Sequence, residues 1–188
     1  MPIIPIVTYD DEVLRTPASR IQDDSEELQQ LIDDMFETMY YARGVGLAAP
    51  QIGKSIRLFV ADIDVMAEES EEPKQGPNVF INPEIVSEGE DRVNMEEGCL
   101  SIPEVKDNVS RPETITVRYL NRHFKEKELT ANGWFSRVIQ HEKDHLEGVL
   151  FIDHLSSFRR RRQRRKLREI ARGDMETEYP LVPKKESV

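Results

Sequence analysis

His141-Glu142-Lys143-Asp144-His145 sets two imidazoles four residues apart. On a helix that spacing puts both on one face, a turn apart, where they can reach a single ion. Glu142 directly follows His141, so its carboxylate is turned off that seam and is better placed to take a proton from an activated water than to ligate. The motif is short, and by itself it describes equally well a surface helix carrying two incidental histidines. A catalytic metal centre needs three protein donors and one open position, so a third donor must come from elsewhere. Cys99 is the one thiol in 188 residues. A single cysteine can form neither an internal disulfide nor a multi-cysteine zinc site, which leaves burial or chemistry as its purpose. It stands in Glu97-Gly98-Cys99-Leu100-Ser101-Ile102-Pro103, where glycine permits close backbone approach and Pro103 is expected to end regular structure.

Two histidines with a cysteine also describe a blue-copper electron-transfer site. That chemistry leaves Glu142 without a task and calls for loop-borne ligands in a β-sandwich. A zincin-like metalloendopeptidase is the stronger rival, because it shares His-Glu-x-x-His. Its third ligand is ordinarily a histidine or carboxylate, and the only later histidine is His154. His154 and His123 read as ordinary surface or capping residues.

Three segments, Gly44-Val45-Gly46-Leu47-Ala48-Ala49-Pro50-Gln51, Glu97-Gly98-Cys99-Leu100-Ser101 and Gln140-His141-Glu142-Lys143-Asp144-His145-Leu146, closely resemble the signature motifs of the bacterial peptide deformylases and occur in that family's order. The resemblance spans residues 5–157 and leaves the tail out. It implies an α+β fold, a metal held by Cys99, His141 and His145, and Glu142 as the catalytic acid/base. Gln51 and the backbone N–H of Leu100 are implied to bind the formyl oxygen. The implied cofactor is Fe(2+), with zinc, nickel or cobalt able to substitute, whereas ligand preference alone favours zinc. The implied reaction frees formate from the formyl-methionine of nascent polypeptides. A formamide is resonance-stabilised, so its hydrolysis needs water ionised and the developing oxyanion stabilised together. In the family the position of Asp144 is acidic, and Arg111 is its candidate partner. Trp134 and Val138 precede His141 by seven and three residues and are candidates to hold a methionine side chain, with burial in the core as the competing assignment. Val45 and Gly46, on the loop before Gln51, are the better pocket candidates.

These residues must be held by surrounding elements. Leu28, Leu31, Ile32, Met35, Phe36 and Met39 recur at three and four, and Asp24 or Ser25 offers a cap, which predicts an amphipathic helix ending near Arg43. Gly44-Val45-Gly46 breaks it, and Ile56–Val60 reads as a buried strand. Residues 68–76 are acidic, contain Pro73 and read as an exposed loop. Val79–Asn82 resumes a strand, Ile115–Leu120 alternates, and Lys125–Thr130 is the expected hairpin return. Asn121-Arg122-His123 lacks the glycine expected at such a turn. Asn132–Leu146 is helical, with Gly148 where a C-terminal cap belongs. The expected fold is α+β, with mainly antiparallel sheets packed around a central metal-binding helix.

The length suits one compact domain, and 38% hydrophobic residues is well short of the apolar poverty of a disordered chain. The first residues lack a basic n-region, and no run approaches the length of a membrane span, so a cytoplasmic protein is expected. Charge is uneven. Residues 1–157 carry 15 basic and 31 acidic groups, and residues 158–188 carry 11 and 5. Residues 1–157 therefore read as the catalytic domain and 158–188 as a basic extension, helical and then disordered. Its run Phe158–Arg168 is either a solvated face or a segment attracted to the ribosome; with no interleaved aromatics it is not expected to read nucleic-acid sequence. Deleting residues 159–188 is expected to leave turnover unchanged.

Overall fold

The computed structural model describes residues 2–64 and 73–183, so most of the acidic 68–76 segment lies outside the described residues. Among the described residues nine strands occur in order: β1 Ile6–Val7, β2 Gly46–Ala48, β3 Leu58–Ala61, β4 Asn78–Glu88, β5 Arg92–Cys99, β6 Ile102–Pro112, β7 Ile115–Leu120, β8 Glu126–Ala131 and β9 Leu181–Val182. The helices are α1 Glu26–Tyr41, α2 Gly133–Leu146, α3 Ser157–Arg162 and α4 Arg164–Arg172.

Strands β2-β3-β4-β7-β8 form an antiparallel sheet, β5 and β6 an antiparallel hairpin, and β1 and β9 a short parallel pair. The fold is therefore the expected α+β type. Both faces of the large sheet are covered, which accounts for the unbroken apolar run Leu58-Phe59-Val60-Ala61. Leu58 and Val60 pack with Ile32, Met35 and Met39 of α1. Phe59 and Ala61 point the other way, toward Phe135, Ile139 and Leu146 of α2. Phe59 stacks on Phe80 with ring centroids 4.5 Å apart. Helix α1 starts as expected, with the Ser25 hydroxyl accepting from Leu28 N–H at 3.1 Å. Helix α2 is closed by Gly148 at φ 74°, where a Cβ would lie 2.7 Å from the Arg15 carbonyl carbon.

Three local expectations are corrected. The β5–β6 hairpin is not foreseen from the sequence, and Pro103 lies inside β6 rather than ending regular structure. Pro103 falls between the Gly98↔Lys106 and Cys99↔Ile102 pairings, where the ladder is interrupted and a missing N–H costs nothing. The β7–β8 turn works without glycine because the Asn121 carboxamide oxygen accepts from His123 N–H at 3.0 Å and Lys125 N–H at 3.1 Å.

The segment after Ser157 is not a free tail. Leu167 and Ile170 of α4 are buried with Ile102 and Val105 of β6 and Leu150–Ile152. Arg159 pairs with Asp107, and Lys166 with Glu104. Beyond α4 the chain returns to the body through β9, which pairs with β1.

Candidate metal centre and substrate cavity

Helix α2 brings His141 and His145 to one face, and Cys99 ends β5 beside the Leu100–Ser101 turn. The ligand atoms of Cys99, His141 and His145 lie within 4.8 Å of one another, and among the described residues no other such group of three is found. Cys99 Sγ is 3.4 Å from His145 Nε2. His141 Nδ1 lies 2.9 Å from Glu97 Oε2, so the carboxylate fixes the ring and leaves Nε2 for the centre. Burial, reinforced by His141, holds His145 well below its ordinary pKa, whereas for His141 burial is outweighed by hydrogen bonds to Cys99 and Glu97, which raise it. One thiol and two imidazoles converging on a single point fit a divalent borderline metal.

Glu142 is buried beside them. Its Oε2 has no hydrogen-bond partner among the described residues. Burial pushes its carboxyl up to about 7, with His141 opposing and Glu97 adding to the rise. A carboxyl poised there can exchange protons in both directions near neutrality. Gln51 lies on a tight 3-10 turn, Ala49–Ile52. Its Oε1 accepts from Ala48 N–H at 2.9 Å, which turns the amide nitrogen toward Cys99 Sγ and Ser101 Oγ, each 3.4 Å away.

A buried ionic network braces the centre. Arg111 donates to Glu97 through Nε at 2.6 Å and Nη2 at 3.0 Å, and to Asp144 through Nη1 at 2.7 Å. Arg137 adds a 2.8 Å bond to Glu97 and donates to the carbonyls of Val109 and Val93. Burial would raise the Glu97 carboxyl, but its bonds to His141 and Arg111 hold it far below the usual carboxylate range. The Arg111–Asp144 pairing anticipated from sequence is thus present. Glu97 and Arg137 gain their roles only from the structure. Their signal in the sequence is slight: Glu97 sits two residues from the thiol, and Arg137 shares the helix face of His141.

The cavity over this centre has a volume of about 850 Å³. Gln51, Cys99, Leu100, His141 and Glu142 line it, as do all four pocket candidates, Val45, Gly46, Trp134 and Val138. Val138 and Trp134 also pack in or against the core cluster under α2, so they serve both assignments. His154 lies apart, bonded to Asp144 at 2.8 Å, and does not join the donor group. His123 is exposed.

Three donor atoms that could hold a metal, a buried carboxylate and an amide donor around one cavity are the parts that a metal-dependent hydrolase needs. Over residues 3–161 the chain matches the polypeptide deformylase family. A peptide deformylase of Salinibacter ruber is 57% identical over 187 residues, covering 97% of this chain and 95% of the relative. One from Chlorobium phaeovibrioides is 46% identical over 180 residues, covering 96% and 93%. The crystal structure of a Legionella pneumophila peptide deformylase superposes with a TM-score of 0.82 at 46% identity, over 92% of this chain and 98% of that one. The chain belongs to the polypeptide deformylase family: it is a metal-dependent hydrolase that removes the N-terminal formyl group of nascent formyl-methionyl peptides.

Proposed function

We propose that Cys99, His141 and His145 hold the metal, that Glu142 is the acid/base, and that Gln51 and the Leu100 N–H receive the formyl oxygen. The observation that carries this assignment is the unpartnered Glu142 Oε2 beside three donor atoms within 4.8 Å of one another. When bound, the ion supplies Lewis acidity, lowering the pKa of water and drawing charge from the carbonyl. Glu142 takes the proton as water adds to the formyl carbon. The Gln51 amide and Leu100 N–H stabilise the charge left on oxygen. Glu142 then returns the proton to the departing methionyl amine, so formate and a free N-terminus leave. Val45, Gly46, Val138 and Trp134 hold the methionine side chain, and the fixed walls keep bulk water from competing with the donors.

We assign Fe(2+) as the native ion, tested by metal analysis of protein purified without air; stoichiometric zinc would contradict it. The basic C-terminal segment is assigned to ribosome contact in the cytoplasm. Among the described residues no helix is long and apolar enough to cross a membrane. The assignment of activity is tested with short peptides. Formyl-Met-Ala is expected to release formate, acetyl-Met-Ala to stay intact, and an internal peptide bond to survive; cleavage of the internal bond would favour the endopeptidase chemistry instead.

A further inference from the structure

The chain between α4 and β9 forms part of the cavity wall. Glu176, Thr177, Glu178 and Tyr179 line it, although none of them belongs to the donor set or to the residues around Gln51. This strap is anchored at both ends. Upstream, Leu167 and Ile170 are buried and Met175 packs on the same cluster, while Gly173 closes α4 at φ 75°. Downstream, Ile6 N–H donates to Pro180 O at 2.9 Å and Thr8 N–H to Val182 O at 3.1 Å. Between the anchors, Thr177 Oγ1 donates to the Tyr179 carbonyl at 2.5 Å. The Tyr179 hydroxyl donates to the Leu100 carbonyl at 2.7 Å.

That last bond reaches the turn that matters for the oxyanion. Leu100 and Ser101 connect β5 to β6 at the tip of a two-stranded hairpin whose body is braced by Glu97 and Arg111 and by buried Ile102 and Val105, leaving the turn itself to bonds from outside. The Ser101 carbonyl is tied to Tyr9 N–H at 3.0 Å, and the Ser101 hydroxyl faces Gln51 at 3.4 Å. The Leu100 carbonyl is the remaining arm of the turn, and Tyr179 holds it. An oxyanion donor works by being aligned before charge develops, so fixing the peptide units that flank its N–H is worth rate rather than substrate affinity.

We propose that Tyr179 is a positioning residue for formyl hydrolysis: the C-terminal strap, through its hydroxyl, fixes the Leu100 turn and so completes the oxyanion site. This rests on the assignment of the Leu100 N–H and Gln51 as oxyanion donors. The test compares wild type, Tyr179→Phe, Gln51→Ala and the double variant on formyl-Met-Ala, with metal content and melting temperature measured for each. Losing one neutral hydrogen bond predicts a kcat lowered roughly three- to tenfold in Tyr179→Phe. KM and metal content are expected to stay put, and the melting temperature to fall by no more than about 2–4 °C. In the double variant the losses should combine to less than their product, because both groups serve one oxyanion. Thr177→Val, which keeps the Tyr179 hydroxyl but frees the strap backbone, should change kcat in the same direction. A Tyr179→Phe kcat equal to wild type while Gln51→Ala is impaired would overturn the strap's role alone. So would a rise in KM with kcat intact, which would make Tyr179 a mere cavity wall, or losses that multiply fully. A Gln51→Ala enzyme with wild-type kcat would overturn the oxyanion assignment itself, and this proposal with it.

Discussion

Gly46 has no room for a side chain: a Cβ there would lie 2.5 Å from Glu142 Oε1 and 2.8 Å from its Cγ. Glu142 also lines the cavity, so its side chain would have to shift to make room, and the glycine is what lets the carboxylate keep its place beside the donors. Gly46→Ala is expected to keep its metal but lose roughly 100-fold in kcat, the scale of loss when a reacting group is displaced by about 1 Å. Metal analysis beside a formate assay reads both, and an unimpaired kcat would mean that Glu142 is not held there for catalysis. Glu97 carries a different weight. It is the anion shared by Arg111, Arg137 and His141, so Glu97→Ala leaves the buried Arg137 without a carboxylate and Arg111 with Asp144 alone, and is expected to cost about 3–5 kcal/mol in a denaturant titration. The proposed donors are legible as candidates only: the i, i+4 histidine pair and the lone thiol each admit an ordinary structural reading, and the resemblance of their segments to the deformylase motifs is what singles them out. Glu97 is not, because a carboxylate among Glu96, Glu97 and the polar residues of β5 reads as solvated surface. Only the tertiary approach of Arg111 and Arg137 turns it inward.

At the level of elements, periodicity locates what is buried on one face and misses what is not. Helix α1 begins and ends within about two residues of expectation because its apolar stripe and serine cap agree. The β5–β6 hairpin escapes because β5 alternates polar side chains with few apolar ones and buries little beyond Glu97. It nonetheless carries Cys99 and Leu100. The stripe Leu167, Ile170 and Ala171 is visible, but a short stripe inside a charge run does not say whether it has a partner. In the structure Ile170 is fully buried against the hairpin. Ile170→Ala is therefore expected to lower stability by about 2–5 kcal/mol, measured by denaturant unfolding. A loss under about 0.5 kcal/mol would mean that α4 only rests on the surface.

For the whole molecule, the charge contrast is real but partly spent internally. Arg159, Arg160 and Lys166 pair with acidic groups of the body, while Arg161, Arg162, Arg164 and Arg168 are exposed and make no ion pair among the described residues. If this face meets ribosomal RNA, replacing those four arginines by serine weakens ribosome cosedimentation and flattens its salt dependence, with turnover of formyl-Met-Ala unchanged. Equal cosedimentation of the variant at low salt would remove that role. Deleting residues 159–188 is another matter, and against the sequence-based expectation of nearly unchanged turnover the structure predicts a loss. Such a deletion removes the buried face of α4 and the cavity-lining strap together. The central claim, however, is that three side chains hold the ion and a fourth moves the proton. Its most direct test is metal content and formate release measured on the same preparations of Cys99→Ser, His141→Ala, His145→Ala and Glu142→Ala. The first three are expected to lose metal and activity together, whereas Glu142→Ala keeps one metal per chain and loses kcat by orders of magnitude. Stoichiometric metal in Cys99→Ser, or substantial turnover in Glu142→Ala, would contradict it.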